Sequence, residues 1–306
     1  MKLATTTADF NYFCKTYEER VRNLYEAGFR YIDLNMGNIR EEDELLVSEN
    51  WRDNVKRLKE SADKLGVQFV QAHSPCGNLL RNTGDDRAKF ERLLNATIRS
   101  IEVCGELGIK NTVVHLGCRK DLDKAGFFEE NKKAYELLFP TMEKYGVNVL
   151  CENSMSGSDG CGSCYYTNTG AELKEFVEYV NHPLIHACWD TGHGNLEGTQ
   201  YDNITAIGKD LYAVHINDNH GERDEHIMPG LGSVNMDEVM CALRDIEYQG
   251  YFTLEANATL FFPLRFKREF KQDTRLAMPH LAMQKNLEKC MYENMIYILK
   301  TYDCLD

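Results

Sequence analysis

Eight short apolar runs alternate with longer stretches of helical period, and this alternation constrains the fold more than any other feature of the chain. The runs lie at 3–7 (LATTT), 30–34 (RYIDL), 67–72 (VQFVQA), 110–115 (KNTVVH), 147–151 (VNVLC), 184–189 (LIHACW), 211–216 (LYAVHI) and 251–255 (YFTLE). Short runs that are apolar on both parities are expected of strands buried on both faces of a parallel sheet. Between them, Val21, Leu24, Tyr25 and Phe29, and then Val55, Leu58, Ala62 and Leu65, recur at the three-to-four spacing of amphipathic helices. Several helical stretches end in a glycine just before the next run, at Gly28, Gly66, Gly108, Gly146 and Gly250. Glycine suits the left-handed residue that follows a helix. Eight such units in succession predict an α/β protein of the (β/α)₈ barrel type, with a doubly wound open sheet as the alternative. No GxGxxG follows the first run to support a dinucleotide-binding sheet.

The 306 residues contain no Pro-, Ser- or Gly-rich linker, so one domain over 1–306 is expected. The stretch 257–280 is too long for a simple loop and reads as a C-terminal extension, a lid or an oligomer contact, ahead of a closing helix at 281–302. Leu287, Met291, Met295 and Ile298 form that helix's apolar stripe, which reads as core. No apolar run approaches the roughly 20 residues needed to span a bilayer, and the opening MKLATTTADFNYF lacks a signal peptide's apolar region. Eleven cysteines, an odd number scattered through strand and helix patterns, fit free thiols in a reducing cytoplasm better than a disulfide framework. Cys161 and Cys164 have CxxC spacing, but no second CxxC or nearby His completes a zinc knuckle. A formal net charge of −13 argues against a nucleic-acid partner and fits an enzyme of small molecules.

In a barrel, function gathers at the carboxyl ends of the strands. There the third run ends in His73, the fourth in His115, the fifth in Glu152 and the sixth in Asp190, with His193 close behind. The seventh ends in His215, its following loop carries Asp224 and His226, and the eighth ends in Glu255. Taken singly, such a histidine is ordinarily structural and such a carboxylate ordinarily caps the next helix. Together, facing one another without a cation, they would be costly to desolvate and mutually repulsive. A divalent ion removes that cost. Glu152, Asp190, His215 and Glu255 suit Mn²⁺, Mg²⁺, Co²⁺ or Zn²⁺, and the additional histidines pull toward Zn²⁺. His182 before a proline, His186 inside a strand and His220 without a matching position stand apart from the set.

The ordered motifs HSP, VVHLG, EN, DTGH, HINDN, DxH with PGxG, and a final LE resemble the xylose isomerase-like barrel superfamily over residues 1–255. That group includes sugar isomerases and epimerases, inosose dehydratase-like enzymes and endonuclease IV DNA-repair enzymes. The epimerase branch implies one metal held by Glu152, Asp190, His215 and Glu255, with Glu152 and Glu255 also exchanging a proton on opposite sides of a substrate carbon through an enediolate. The endonuclease IV branch implies that His73, His115, His193, Asp224 and His226 complete a three-zinc cluster for cleaving abasic DNA. In the first case those five residues become second-metal or substrate ligands. The acidic balance, and the lack of an aromatic after HSP in CGNLLRN, favour a metal-dependent sugar or sugar-phosphate isomerase or epimerase. Basic patches occur only at 118–124 (CRKDLDK) and 264–271 (LRFKREFK). The expected partner is a small carbohydrate in the cytoplasm, not a membrane or nucleic acid. A non-catalytic barrel used as a binding module would not need the full ligand set.

Overall fold

Every apolar run becomes a strand. The computed structural model describes residues 1–39, 43–80, 87–156, 165–260 and 279–306. In it, β1 (Lys2–Thr6), β2 (Tyr31–Asn35), β3 (Gln68–His73), β4 (Asn111–Val113), β5 (Asn148–Glu152), β6 (Ile185–Asp190), β7 (Leu211–His215) and β8 (Tyr251–Leu254) form one sheet. All pairings are parallel, and the order runs from β7 down to β1 and then to β8. Between β7 and β8 the closure is a single rung. Ile216 N donates to Thr253 O at 2.8 Å and Glu255 N donates to Ile216 O at 3.0 Å.

Helices α1 (Tyr17–Ala27), α2 (Trp51–Leu65) and α3 (Arg87–Leu107) follow the first three strands. After β4 come α4 (Lys124–Glu136) and α5 (Phe139–Tyr145), and after β5 comes α6 (Gly170–Val180). Behind β6 lie α7 (Thr191–Glu197) and α8 (Gln200–Ile207), behind β7 lies α9 (Met236–Asp245), and the C-terminal helix spans Leu281–Thr301. Local sequence fixes several starts. Thr16 with Glu19, and Thr169 with Glu172, form capping boxes at α1 and α6, each satisfying orphan N–H groups at both positions. Gly66, Gly108 and Gly146 take the left-handed conformation after their helices, as their positions predict.

Three expectations need correction. Gly250 is not the left-handed residue after α9; Glu247 takes that conformation at φ 56°, and Gly250 instead makes room for Tyr248, whose Oη would lie 2.2 Å from an added Cβ. The buried stripe of the C-terminal helix is Gln284, Glu288, Met291, Met295 and Leu299, with Leu287 and Ile298 only flanking it. The stripe includes Glu288, buried beside the carboxyl of Asp9 in the short 3-10 turn that follows β1. Tyr212, read as part of a strand buried on both faces, is exposed and stacks on His186 at a centroid distance of 3.6 Å. The extension before the C-terminal helix and the Cys161–Cys164 pair lie outside the described residues, apart from 257–260, 279 and 280.

Period-two geometry explains where the chemistry goes. Val113, Leu150, Cys188 and Ala213 pack together as a small apolar layer inside the barrel. Residues two further along each strand share the same inward face. Those residues are His115, Glu152, Asp190 and His215. The interior beneath β1–β3 and β8 is polar, with Thr253 Oγ1 donating across the barrel to Gln71 Oε1 at 3.4 Å and Thr6 Oγ1 to Asp33 at 3.2 Å.

Candidate metal centre at the carboxyl rim

Glu152, Asp190, His215 and Glu255 each offer one atom within a common span of 4.8 Å. All four side chains are buried, at 4%, 0%, 1% and 7% exposure, so water cannot screen three carboxylates held this close. His215 Nδ1 bonds to Glu152 Oε1 and lies 3.2 Å from Glu255 Oε2. Burial works against charge on Glu152, but His215 and His115 outweigh it and hold this carboxyl well below the usual range. Burial raises the Glu255 carboxyl despite His215 and His226 beside it. The two glutamates therefore face one space from environments that push their protons in opposite directions. The donor set, three carboxylate oxygens and one imidazole nitrogen, fits a divalent ion.

A second group lies beside the first. His73 Nδ1 bonds to the Ser74 carbonyl at 2.7 Å, which aims Nε2 at His115 Nε2, 3.0 Å away. His115 Nε2 in turn lies 2.7 Å from Glu152 Oε2. Burial, and then the neighbouring His115, drive the His73 imidazole down to about 3. On the other side, His226 Nε2 is 2.9 Å and His193 Nε2 is 3.9 Å from Asp224 Oδ1. Although burial opposes it, Asp224 and Glu255 push the His226 imidazole up to about 10. His226 has φ 49°, a strained left-handed position for a residue other than glycine, which turns its ring back so that Nδ1 meets the Glu255 carbonyl at 2.9 Å. All nine rim residues thus converge. His182 (against Glu143 and Phe139), His186 (against Tyr212) and His220 (against Glu225) lie elsewhere.

The supporting residues were not visible as a pattern in the sequence. Asp190 Oδ1 accepts from the His193 N–H at 2.7 Å, capping α7, while Asn217 Nδ2 donates to Asp190 Oδ2 at 2.7 Å. Asn153 brackets the Asp190 backbone, accepting from its N–H at 2.6 Å and donating to its carbonyl at 3.0 Å. Gly192 is required between them, because a Cβ there would sit 2.0 Å from Asn217 Oδ1. Asp218 accepts from the backbone N–H groups of Asn219, Gly230, Gly232 and Val234 at 2.8–2.9 Å and so organises the loop that carries Asp224 and His226. The signal for Asp218 was its pairing with the PGLG turn; nothing short of the fold connects them.

With the eight-stranded barrel and its ligand-bearing rim in view, the decisive comparison is with a protein family. Residues 21–277 match the xylose isomerase-like TIM barrel. The chain belongs to this family. Curated relatives include an inosose isomerase from Bacillus velezensis, 22% identical over 200 residues, covering 63% of this chain and 68% of that protein. A probable endonuclease 4 from Cenarchaeum symbiosum is 28% identical over 207 residues, covering 62% and 70%. Among solved structures, that of the IOLI protein with a bound zinc atom superposes with a TM-score of 0.73 at 18% identity, covering 99% of both chains. An L-ribulose 3-epimerase structure has the same TM-score and identity, covering 99% of this chain and 96% of its own. No helix among the described residues is long and apolar enough to cross a membrane.

Proposed function

We propose that this protein is a metal-dependent isomerase or epimerase acting on a sugar or sugar phosphate. The observation that carries this reading is the pair Glu152 and Glu255, set against one another at the ends of β5 and β8 with Asp190 and His215 between them. In this reading the four side chains hold one divalent ion. When bound, that ion supplies Lewis-acid polarisation of a carbonyl and its adjacent hydroxyl. Glu152 and Glu255 flank the substrate carbon, one taking its proton and the other, or the same one, returning it. His193 and His226 orient substrate hydroxyls, and Asp224 fixes the His226 ring. The inosose isomerase relative and the L-ribulose 3-epimerase neighbour support a polyhydroxylated substrate, and the zinc in the IOLI structure supports an ion at such a rim.

A zinc phosphodiesterase of the endonuclease IV type is the second reading, favoured by the five additional rim residues and by the endonuclease 4 relative. Against it, the basic loop at 118–124 has charges already committed, Arg119 to Asp121 at 2.5 Å and Lys124 to Glu175 at 2.6 Å. The patch at 264–271 lies outside the described residues. The deciding experiment incubates manganese-, cobalt- or zinc-loaded protein with a panel of ketoses and ketose phosphates in deuterated water, in parallel with abasic duplex DNA. Deuterium entering a carbon next to the carbonyl, with intact DNA, is the expected outcome. DNA incision without exchange on any sugar overturns the proposal.

A further inference from the structure

Asn217 lies fully buried just past His215, and its side-chain amide is partnered on one side only. Nδ2 donates to Asp190 Oδ2 at 2.7 Å, while Oδ1 has no hydrogen-bond partner among the described residues. A buried carbonyl left unpaired is costly. Turning the amide over would not relieve it, because Oδ1 would then meet Asp190 Oδ2 acceptor to acceptor. The surroundings are built around this placement. Asn217 N donates to Thr191 Oγ1 at 3.0 Å, and the Thr191 hydroxyl donates back to Asn217 O at 2.7 Å. Asn219 Nδ2 donates to Gly192 O at 2.8 Å. Gly192 leaves the space that Oδ1 fills, since a Cβ there would come within 2.0 Å of it. The DTGH and HINDN stretches thus close on each other, and the closure delivers one N–H to one oxygen of Asp190.

We propose that Asn217 is a positioning residue for the divalent ion, acting by orienting the Asp190 carboxylate toward it. The inference rests on the reading of Glu152, Asp190, His215 and Glu255 as that ion's ligands. Asp190 Oδ1 is already held by the His193 N–H at 2.7 Å, so a second donor on Oδ2 fixes the plane of the carboxylate as well as its direction. Both donors are neutral and leave the carboxylate's charge for the cation, which a lysine or arginine in the place of Asn217 would compensate. The orphaned Oδ1 is then explained: the chain keeps an unsatisfied acceptor in order to keep Nδ2 on Asp190. Hydrogen-bond partners behind a ligating side chain typically change metal affinity by about 10–100-fold when removed.

The affinity of the full chain for Zn²⁺ and Co²⁺ is measured by competition with a chromophoric chelator, and urea unfolding of the metal-free protein is followed alongside. Asn217→Ala and the volume-preserving Asn217→Leu are expected to bind roughly 10–100-fold more weakly than wild type, with the visible bands of bound Co²⁺ shifted as Asp190 is released. Asn219→Ala removes the other amide of the clasp without touching Asp190, so it should lower stability in urea and keep wild-type affinity. Asp190→Ala is the reference for the ligand set. If it loses affinity while both Asn217 variants keep theirs, the inference is overturned and the ligand set stands. Equal losses in Asn219→Ala and the Asn217 variants would make the clasp structural only and overturn the inference as well. Unchanged affinity in Asp190→Ala would overturn the ligand set itself, and the role of Asn217 with it.

Discussion

Glu255 illustrates how much rests on one carboxyl. It sits one residue beyond β8 and shares His215 with Glu152. Glu255→Gln preserves size and removes an anionic ligand, so the fold should persist while affinity for the divalent ion falls by at least about tenfold, or about 1.4 kcal/mol. Calorimetric titration of metal into chelated protein, with circular dichroism as the fold control, measures it; unchanged affinity removes Glu255 from the ligand set. His226→Ala separates the two readings. If the residue positions substrate, ion stoichiometry should hold while turnover drops by one to several orders of magnitude, since misplacement alone can be that costly. Loss of a zinc equivalent, seen by elemental analysis, would instead favour the phosphodiesterase. Asp9 is a different kind of residue. Burial raises its carboxyl to about 8, and it lies beside Glu288, itself pushed well above the carboxylate range by burial and by Asp9. The folded state thus keeps a proton that the unfolded chain gives up near 3.8. For Asp9, stability falls as pH rises from about 4 to about 8, the window in which the unfolded chain binds fewer protons at this carboxyl. Asp9→Asn removes the Asp9 titration while keeping an oxygen for Thr5 Oγ1, which donates to Asp9 at 2.8 Å. Thermal melts should show the variant gaining on wild type steadily between pH 5 and 8; parallel curves would refute the raised Asp9 carboxyl.

Among the elements, β5, β6 and β7 were the most legible in the sequence, and the reason is geometric. A strand alternates faces with period two, so an apolar residue known to point inward fixes the direction of the ligand two places on, as Leu150 does for Glu152 and Ala213 for His215. Glu255, two places beyond the inward-facing Thr253, and His73, two beyond Gln71, follow the same rule, whereas His193 on α7 and His226 in the loop after β7 do not. Loop structure was less accessible, because Asn153, Asn217 and Asp218 are residue types that equally fill solvated turns. Their roles depend on partners far along the chain, as when Asn153 brackets Asp190 across 37 positions. The turned stripe of the C-terminal helix was hidden similarly: periodicity finds apolar faces, but Glu288 is buried by a pairing with Asp9 that only tertiary contact creates. The loop from Ile216 to Val234 gives a test at this scale. Asp218→Ala leaves four backbone donors without their acceptor, at about 1–3 kcal/mol for each that cannot reach water. A loss of about 2–4 kcal/mol in urea unfolding, with turnover lowered by misplacement of Asp224 and His226, is expected; a variant as stable as wild type would show that the turn holds itself.

For the molecule as a whole, membership of the xylose isomerase-like family fixes the barrel and leaves the chemistry to the rim, since members named as isomerase and as endonuclease stand among the relatives of one chain. The way the barrel shuts has a mechanical corollary. Seven of its eight junctions are laddered along paired strands, whereas β7 and β8 are joined by the one bridge of Ile216 with Leu254, made by the Ile216 hydrogen bonds to Thr253 and Glu255. A cask with one loose pair of staves needs a hoop, and His215 and Glu255 stand one on each of those staves, immediately beside the rung. An ion gripping both would brace the joint from inside the mouth, coupling metal content to the integrity of the wall. Stripping the protein with a chelator should therefore speed amide hydrogen exchange at Ile216 and Glu255 far more than at Val149 or Cys151 on the fully laddered β5. Equal protection with and without metal would mean that the staves hold unaided. Such a brace would make the proposed metal centre and the most sparsely paired line of the wall one object, so that whatever pulled on the ion would also pull on the cask.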